Sequence, residues 1–220
     1  MTHYIERENS LANIITILRF PLMIILGFLL YLGSPTVVLW CVPFLLIIIL
    51  MDTLDGNLAR RRGETSLLGS ALDIAADRTL EFILWVLFAN LGLISITIPI
   101  IVIVRGVTVD AVRAVGIGNG IPPFKQVTNP VSRFLVSSPV MRSSYSIAKT
   151  IAFNLLVVDL AFTRMNHPSE SWIHVLALIF SWIAVALCCA RGIPALIDGS
   201  IMLNSTDKAK LNISNQQTMD

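Results

Sequence analysis

Four aspartates recur at fixed spacing between residues 52 and 77, interleaved with small residues and bordered by apolar segments. The segment reads Asp52-Thr-Leu-Asp55-Gly56-Asn-Leu-Ala59-Arg60 and, after eight residues, Gly69-Ser-Ala-Leu-Asp73-Ile-Ala-Ala-Asp77. Placing one carboxylate at membrane depth costs about 2.5–3.5 kcal/mol on insertion scales. Four carboxylates at one place would also repel one another unless cations neutralise them. The pattern therefore predicts a cation site.

Helical spacing would bring these aspartates together, because residues three or four apart lie on one face of a helix. One predicted helix face carries Asp52, Asp55 and Ala59. A second face, on the next helix, carries Gly69, Asp73 and Asp77. Two such helices facing each other would point four carboxylates into one cleft. Hard oxygen ligands suit Mg²⁺ or Mn²⁺, and the segment contains neither histidine nor cysteine. Two such ions, about 3.5–4 Å apart, commonly hold a phosphoryl group during its displacement.

Three small residues and an arginine accompany the acids. Gly56, Ala59 and Gly69 leave space where a phosphorylated ligand could lie against the helix backbone. Arg60 offers a planar pair of donors to phosphate oxygens. Small residues at this spacing also occur where membrane helices pack closely. In register with four aspartates, we interpret them as ligand-binding positions.

The elements that must position these residues are membrane helices. Hydrophobic residues make up 55% of the 220 residues and charged residues 14%, whereas soluble domains carry about 25% charged residues. Since a span needs about 20 apolar residues, the sequence predicts an all-α, polytopic membrane protein with six transmembrane helices. The predicted spans are Leu11–Leu32, Thr36–Ala59, Leu67–Asn90, Ile94–Val115, Ser146–Phe162 and Trp172–Ile197. Residues 1–203 would form one membrane domain, and the polar tail 204–220 is predicted to be disordered.

Positive charge is unevenly distributed between the predicted loops. Of the sixteen lysines and arginines, Arg164 is the one that falls in loops opposite the termini. The positive-inside rule therefore places both termini and the aspartates at the cytoplasmic face of the membrane. The connection 116–145, rich in glycine and proline, is either an interfacial segment over the site or an inert cytosolic loop.

The spacing of these residues resembles a known signature. At every fixed position, the segment from Asp52 to Asp77 is similar to that of the CDP-alcohol phosphotransferase family of integral membrane enzymes. The six-span layout extends the likeness to most of the chain. The resemblance implies transfer of a substituted phosphate from a CDP-linked donor to an alcohol, with release of CMP. It also implies that Asp52, Asp55, Asp73 and Asp77 bind two Mg²⁺ or Mn²⁺ ions, and that Asp77 is the base that deprotonates the acceptor.

The same resemblance extends to the donor. The stretch from Asn13 to Thr16 is similar to a nucleotide-binding stretch that opens the first span, and Ser66 matches another donor-contacting position. The predicted donor site comprises Asn13, Thr16, Gly56, Ala59, Arg60, Ser66 and Gly69. Judged by residue type, Asn13 is almost equally suited to capping a helix N-terminus. Arg19, one turn after Thr16, is equally suited to reaching the membrane interface.

Three further cations predict an acceptor that itself carries a phosphate. Arg105 and Arg113 lie near one face of the fourth predicted span, and Lys149 lies near the start of the fifth. Such a group suits a phosphate, and anchoring at the cytoplasmic interface is the alternative. Their spacing resembles the phosphatidylglycerophosphate synthase branch, which implies CDP-diacylglycerol as donor and sn-glycerol 3-phosphate as acceptor. Gly106 and the long 116–145 connection depart from that branch, and an inositol phosphate acceptor would need similar cations.

The alternative functions are those of a divalent-cation transporter and of a non-catalytic membrane scaffold. A divalent-cation transporter would hold its ions near the membrane midplane, whereas these aspartates gather at one face. A non-catalytic scaffold would not need the full motif, and no member of it is missing. The expected partners are CDP-diacylglycerol, a small phosphorylated alcohol, membrane lipid and, by analogy, a second copy of the chain. No nucleic acid is expected to bind.

Overall fold

The computed structural model describes residues 11–62, 67–118, 130–165 and 171–217. Within these ranges the backbone is helical apart from short turns, which confirms the all-α prediction. The helices are α1 (Leu11–Leu32), α2 (Pro35–Arg62), α3 (Leu67–Asn90), α4 (Thr97–Gly118), α5 (Pro130–Ser137), α6 (Pro139–Arg164) and α7 (Ser171–Gln217).

Four of the described helices are long and apolar enough to cross a membrane. Their apolar stretches are Ile14–Leu32, Pro35–Asp52, Pro139–Arg164 and Trp172–Leu203. Several large apolar side chains on them are not covered by protein, with exposed fractions of 62% for Phe28, 74% for Leu32 and 72% for Trp40. Helices with an apolar outer surface are consistent with an integral membrane protein.

The predicted count of six spans is not established. α3 has the predicted bounds, and α4 begins at Thr97 rather than Ile94, but charged residues interrupt the apolar character of both helices. These residues are Asp73, Asp77, Arg78 and Glu81 on α3, and Arg105, Asp110 and Arg113 on α4. Most of them belong to the predicted sites, so the same side chains that suggest chemistry lower the hydropathy of these helices.

Several helix boundaries differ from the sequence-based prediction, most of all in the connection 116–145 and after residue 197. Within the connection 116–145, α4 extends to Gly118, α5 covers Pro130–Ser137, and α6 begins at Pro139 rather than at Ser146. The prolines there predict a loop, but α5 and α6 both begin with a proline, which suits the first helical position because no N–H is needed there. α7 continues to Gln217, so the backbone of residues 204–217 is helical where the polar composition predicted disorder.

The chain divides into two compact units. Unit 1 comprises Met1–Pro99 and Ile151–Ile179, and unit 2 comprises Ile100–Thr150 and Phe180–Asp220. The predicted metal and donor residues belong to unit 1, and the predicted acceptor residues belong to unit 2. The single membrane domain over 1–203 stays a prediction.

In unit 1, α1 packs against both α2 and α3. One face of α1 is buried along most of its length; its residues are Thr16, Arg19, Met23, Leu26 and Leu30. They recur every three or four residues, which is the spacing of one helix face. Two members of this buried face are polar, and both lie toward the N-terminal end of α1.

Two turns in unit 1 are closed by specific backbone contacts. After α3, Gly92 has a φ of 76°. Its N–H bonds to the Ala89 carbonyl at 3.1 Å, and the Leu93 N–H bonds to the Phe88 carbonyl at 3.0 Å. This pair of bonds is the Schellman ending, which favours glycine at the left-handed position. After α1, the Gly33 N–H bonds to the Leu29 carbonyl at 2.9 Å.

Candidate functional site

Arg19 of α1 is the centre of the charged site in unit 1. Its Nη1 lies 2.6 Å from Oδ1 of Asp52 on α2 and 3.5 Å from Oδ1 of Asp73 on α3. The Arg19 side chain is 1% exposed, whereas those of Asp52 and Asp73 are 37% and 46% exposed. One buried guanidinium therefore holds two carboxylates that remain accessible to a ligand.

Packing explains why this arginine is buried. Thr16 and Arg19 share the face of α1 that continues through Met23 and Leu26 into the core of unit 1. Because α1 packs against α2 and α3 on that face, the guanidinium lies where both aspartates can reach it. The interpretation in which Arg19 reaches the membrane interface is therefore wrong, because the Arg19 side chain is 1% exposed and lies inside unit 1.

Asp77 follows Asp73 by one turn of α3, so the two carboxylates share a helix face, and Asp77 is partly exposed. The next acidic residue, Glu81, is fully buried, and its Oε2 lies 3.2 Å from Nη1 of Arg78. Removing one partner of a buried pair of this kind is strongly destabilising, because the other charge is left buried without compensation. Glu81 therefore has a partner within α3, and Asp77 is the partly exposed acid one turn beyond Asp73.

The aspartates partly fit the predicted metal site. Asp52 and Asp73 converge on one positive charge, and both offer oxygen ligands of the kind that Mg²⁺ and Mn²⁺ prefer. Among the described side chains, no group of three or more acids, histidines or cysteines is arranged to hold a metal ion. The side chain of Asp55 lies outside the described part of the chain. The prediction that four aspartates bind two ions therefore stays a prediction.

The predicted donor residues are described to different extents. Thr16 is 3% exposed on the same face of α1 as Arg19, and Gly69 lies in the first turn of α3, one turn before Asp73. Ser66 lies outside the described residues. Asn13, Gly56, Ala59 and Arg60 belong to described helices, but their side chains lie outside the described part of the structure. The structure therefore places Thr16 and Gly69 on the two helices that bring Arg19 and Asp73 together.

Unit 2 contains a group of cations that includes the predicted acceptor residues. Arg105 of α4 is 8% exposed and lies against Gly192 of α7. A Cβ added at Gly192 would collide with Nε, Cγ and Cδ of Arg105. The neighbouring Arg191 is close enough to Arg105, Arg113 and Arg142 to interact with their charges. Arg191 therefore lies within electrostatic range of three other positive charges, which favours an anionic ligand there.

A tyrosine connects Lys149 to this group. Nζ of Lys149 lies 5.5 Å from the centre of the Tyr145 ring, and Cζ of Arg191 lies 5.8 Å from it. Tyr145 is 6% exposed. Cations within about 6 Å of an aromatic ring are attracted by its electron-rich face. The structure thus places Lys149 and Arg191 beside the same aromatic ring, and Arg191 within range of the charges of Arg105 and Arg113.

Sequence reasoning missed Arg191, Tyr145 and the partners of Arg19. Arg191 lies inside the apolar stretch Trp172–Leu203, and a charged residue within a span is itself a signal of function. That signal was available in the sequence. The pairing of Arg19 was not, because its partners lie on two other helices and Asp73 is 54 residues away.

Comparison with known families identifies the chain. The model of the CDP-alcohol phosphatidyltransferase family matches residues 9–190, a range that includes Arg19 and the aspartates from Asp52 to Asp77. The chain belongs to the CDP-alcohol phosphatidyltransferase family. Membership implies that this phosphatidyltransferase transfers a phosphatidyl group from a CDP-alcohol. A search of individual curated proteins finds no match.

Proposed function

We propose that this phosphatidyltransferase moves the phosphatidyl group of CDP-diacylglycerol to a small alcohol that carries a phosphate, with sn-glycerol 3-phosphate as the best candidate. CMP is the other product, and phosphatidylglycerophosphate is the lipid product. The observation that carries the proposal is the convergence of Asp52 and Asp73 on one buried cation, within a chain of this family.

The proposed cofactor is Mg²⁺ or Mn²⁺, as two ions held by Asp52, Asp55, Asp73 and Asp77. When bound, such ions neutralise phosphate oxygens and make an attacking hydroxyl more acidic. The convergence of Asp52 and Asp73 supports this assignment, because two acids from different helices already face one positive charge. Their accessibility leaves room for a ligand on the outer side of the pair.

Asp77 is the proposed base. The oxygen of the acceptor hydroxyl attacks the phosphorus that bears the diacylglycerol, and its proton passes to the Asp77 carboxylate. The bond between that phosphorus and the oxygen of CMP breaks, and CMP leaves with the electron pair. The partial exposure of Asp77 and its position one turn from Asp73 support this role. Asn13, Thr16, Gly56, Ala59, Arg60, Ser66 and Gly69 are the proposed donor contacts.

The cations of unit 2 support a phosphorylated acceptor. Arg105, Arg113 and Lys149 are the residues proposed to bind its phosphate, and Arg191 joins them because it interacts with both arginines. Arginine binds phosphate with two parallel hydrogen bonds, so several arginines at one place favour an acceptor with a doubly charged phosphate. Inositol phosphate is the alternative acceptor, since its phosphate has the same chemistry.

An acceptor screen tests the proposal. The purified protein in detergent receives CDP-diacylglycerol, Mg²⁺ and one acceptor at a time: glycerol 3-phosphate, inositol phosphate, glycerol, inositol or serine. CMP and the lipid product are measured, and the matched pairs with and without phosphate isolate the contribution of that group. We expect turnover with glycerol 3-phosphate and none with glycerol.

The outcomes of this screen are distinct. Turnover with inositol phosphate alone reassigns the acceptor and keeps the chemistry. Equal turnover of the phosphorylated and unphosphorylated alcohols contradicts the role of the unit 2 cations. No CMP with any acceptor contradicts the enzyme itself, and Mn²⁺ flux into liposomes would then favour the transporter. The proposed location is a cytoplasmic membrane with the site open to the cytoplasm, where water-soluble acceptors are present.

A further inference from the structure

We propose that Arg19 is a built-in counter-cation for the metal site. In the metal-free protein its guanidinium neutralises Asp52 and Asp73, so that a divalent ion alone binds weakly and binds well only together with the anionic donor. This inference rests on the proposed function, because it takes the two aspartates to be metal ligands. It assigns Arg19 as a positioning residue and not as a catalytic one.

The first step of the argument is the permanence of the charge. A guanidinium stays protonated in proteins, and Arg19 lies with Thr16, Met23 and Leu26 on the buried face of α1. Its Nη1 lies 2.6 Å from Oδ1 of Asp52 and 3.5 Å from Oδ1 of Asp73. A positive charge is therefore fixed within hydrogen-bonding distance of one proposed ligand and near the second.

The second step is competition. A divalent ion that binds Asp52 and Asp73 must approach the guanidinium to within a few ångströms, and like charges at such distances repel strongly in a partly buried site. The same guanidinium keeps the two carboxylates together before the ion arrives, which limits their mutual repulsion. The negative pyrophosphate of a CDP-linked donor would offset the excess positive charge, so metal and donor would each strengthen the binding of the other.

The competing explanation is that Arg19 only joins α1 to α2 and α3. Removing its charge would then lower the thermal stability and leave the affinity for metal unchanged or weaker. Competition between the guanidinium and the metal ion predicts instead that removing the charge of Arg19 makes the affinity for metal stronger. The two explanations therefore differ in a measurement that does not depend on turnover.

The experiment titrates the full-length protein in detergent with Mn²⁺ alone, and electron paramagnetic resonance reports the free ion. Arg19→Gln removes the charge, and Arg19→Lys keeps it. Arg164→Gln is the control, because Arg164 is a partly exposed arginine of the same unit and bonds to carbonyls rather than to acids. We expect Arg19→Gln to bind Mn²⁺ about tenfold more tightly than the wild type, while the other two stay within about threefold.

Further measurements separate the possible failures. The variant Asp73→Asn first shows whether Mn²⁺ binds at the proposed site, because it should abolish binding. If it does, Mn²⁺ binding by Arg19→Gln that is equal to or weaker than that of the wild type overturns the inference. If Asp73→Asn leaves Mn²⁺ binding intact, the metal assignment in the proposed function fails instead, and the inference fails with it. If Arg19→Gln does not fold, Arg19→Met replaces it, because methionine is also uncharged and has an unbranched side chain.

The wild type supplies an independent test that needs no variant. Adding CDP-diacylglycerol in mixed micelles should tighten Mn²⁺ binding by about tenfold or more, because the donor brings negative charge to a site that holds an excess of positive charge. This coupling should shrink in Arg19→Gln. Mn²⁺ binding that is indifferent to the donor in the wild type overturns the inference even if no neutral variant at residue 19 can be purified.

Discussion

Gly192 lies on α7 next to the side chain of Arg105, and the absence of a Cβ at this position allows that side chain to lie there. Arg105 is 8% exposed, so it has little freedom to move aside. At the scale of single residues, the position of Arg105, a proposed acceptor-binding residue, thus depends on a glycine that has no chemical role of its own.

We therefore predict that Gly192→Ala displaces Arg105 and raises the KM for glycerol 3-phosphate about tenfold, equivalent to about 1.4 kcal/mol. The kcat should change much less, because the aspartates are untouched. The measurement is steady-state CMP release at varied acceptor concentration. Gly199→Ala is the matched control: its Cβ would press on Cγ1 of Val112, also in unit 2. It should lower stability without changing the KM, and an equal rise in both variants would contradict the prediction.

Asp77 is the residue on which the proposed chemistry depends. A positioned general base contributes about 10²–10⁴-fold to a rate, so Asp77→Asn should lower kcat by a factor in that range, measured as CMP release at saturating substrates. The control is Glu81→Gln, one turn further along α3, where the carboxylate is buried and paired with Arg78. That variant should lose thermal stability more than kcat. Asp77→Asn with more than a third of wild-type activity would contradict the assignment of the base.

At the scale of helices, the C-terminal end of α1 is held by a side chain from α6. Arg164 donates from its guanidinium to the carbonyls of Gly33, Leu30 and Tyr31, at 2.6, 2.8 and 2.9 Å. The last carbonyls of a helix lack partners within it, and a cation there also suits the helix dipole. The sequence predicted Arg164 as the exception to the positive-inside pattern, and the structure supplies a local reason for its presence.

We predict that Arg164→Gln lowers stability by about 2 kcal/mol, since hydrogen bonds to charged groups contribute about 1.5–3 kcal/mol and this arginine is partly exposed. For a chain of this size, that corresponds to a fall of about 4–8 °C in the melting temperature. The measurement is thermal unfolding in detergent. Arg133→Gln, at an exposed position on α5, should leave the melting temperature within about 1 °C of the wild type. Equal melting temperatures for the two variants would contradict the capping role.

At the scale of the whole molecule, the topology depends on whether α3 and α4 cross the membrane. If they do, the turns after α1 and after α3 lie on the same side. If only the four apolar helices cross, the turn after α3 lies on the opposite side from the turn after α1.

Single cysteines distinguish these arrangements. The free cysteines Cys41, Cys188 and Cys189 are first replaced by alanine, and Ser34→Cys and Ser95→Cys are then introduced into the two turns. Because the predicted topology has six spans, we expect both new cysteines to react with a membrane-impermeant maleimide in intact cells. Reaction of Ser95→Cys only after permeabilisation would contradict six spans and support four.

Much of the fold and part of the site could be predicted from the sequence, because the relevant signals are local. Hydropathy and turn residues gave α1 and α3 their observed bounds, and helical spacing placed Asp73 and Asp77 on one face. The connection 116–145 was harder, because the same prolines that break a helix also begin one, as Pro130 and Pro139 do. Local composition does not distinguish these two roles.

The sequence alone determined that this protein is built of apolar helices and that acids stand at helical spacing, since both properties depend on residues a few positions apart. The tertiary structure decided which charges meet. Arg19 pairs with Asp52 and Asp73 rather than reaching the membrane interface, and Tyr145 lies beside both Lys149 and Arg191. The physical reason is that these contacts join different helices, and their geometry follows from how the helices pack rather than from the periodicity of any one of them.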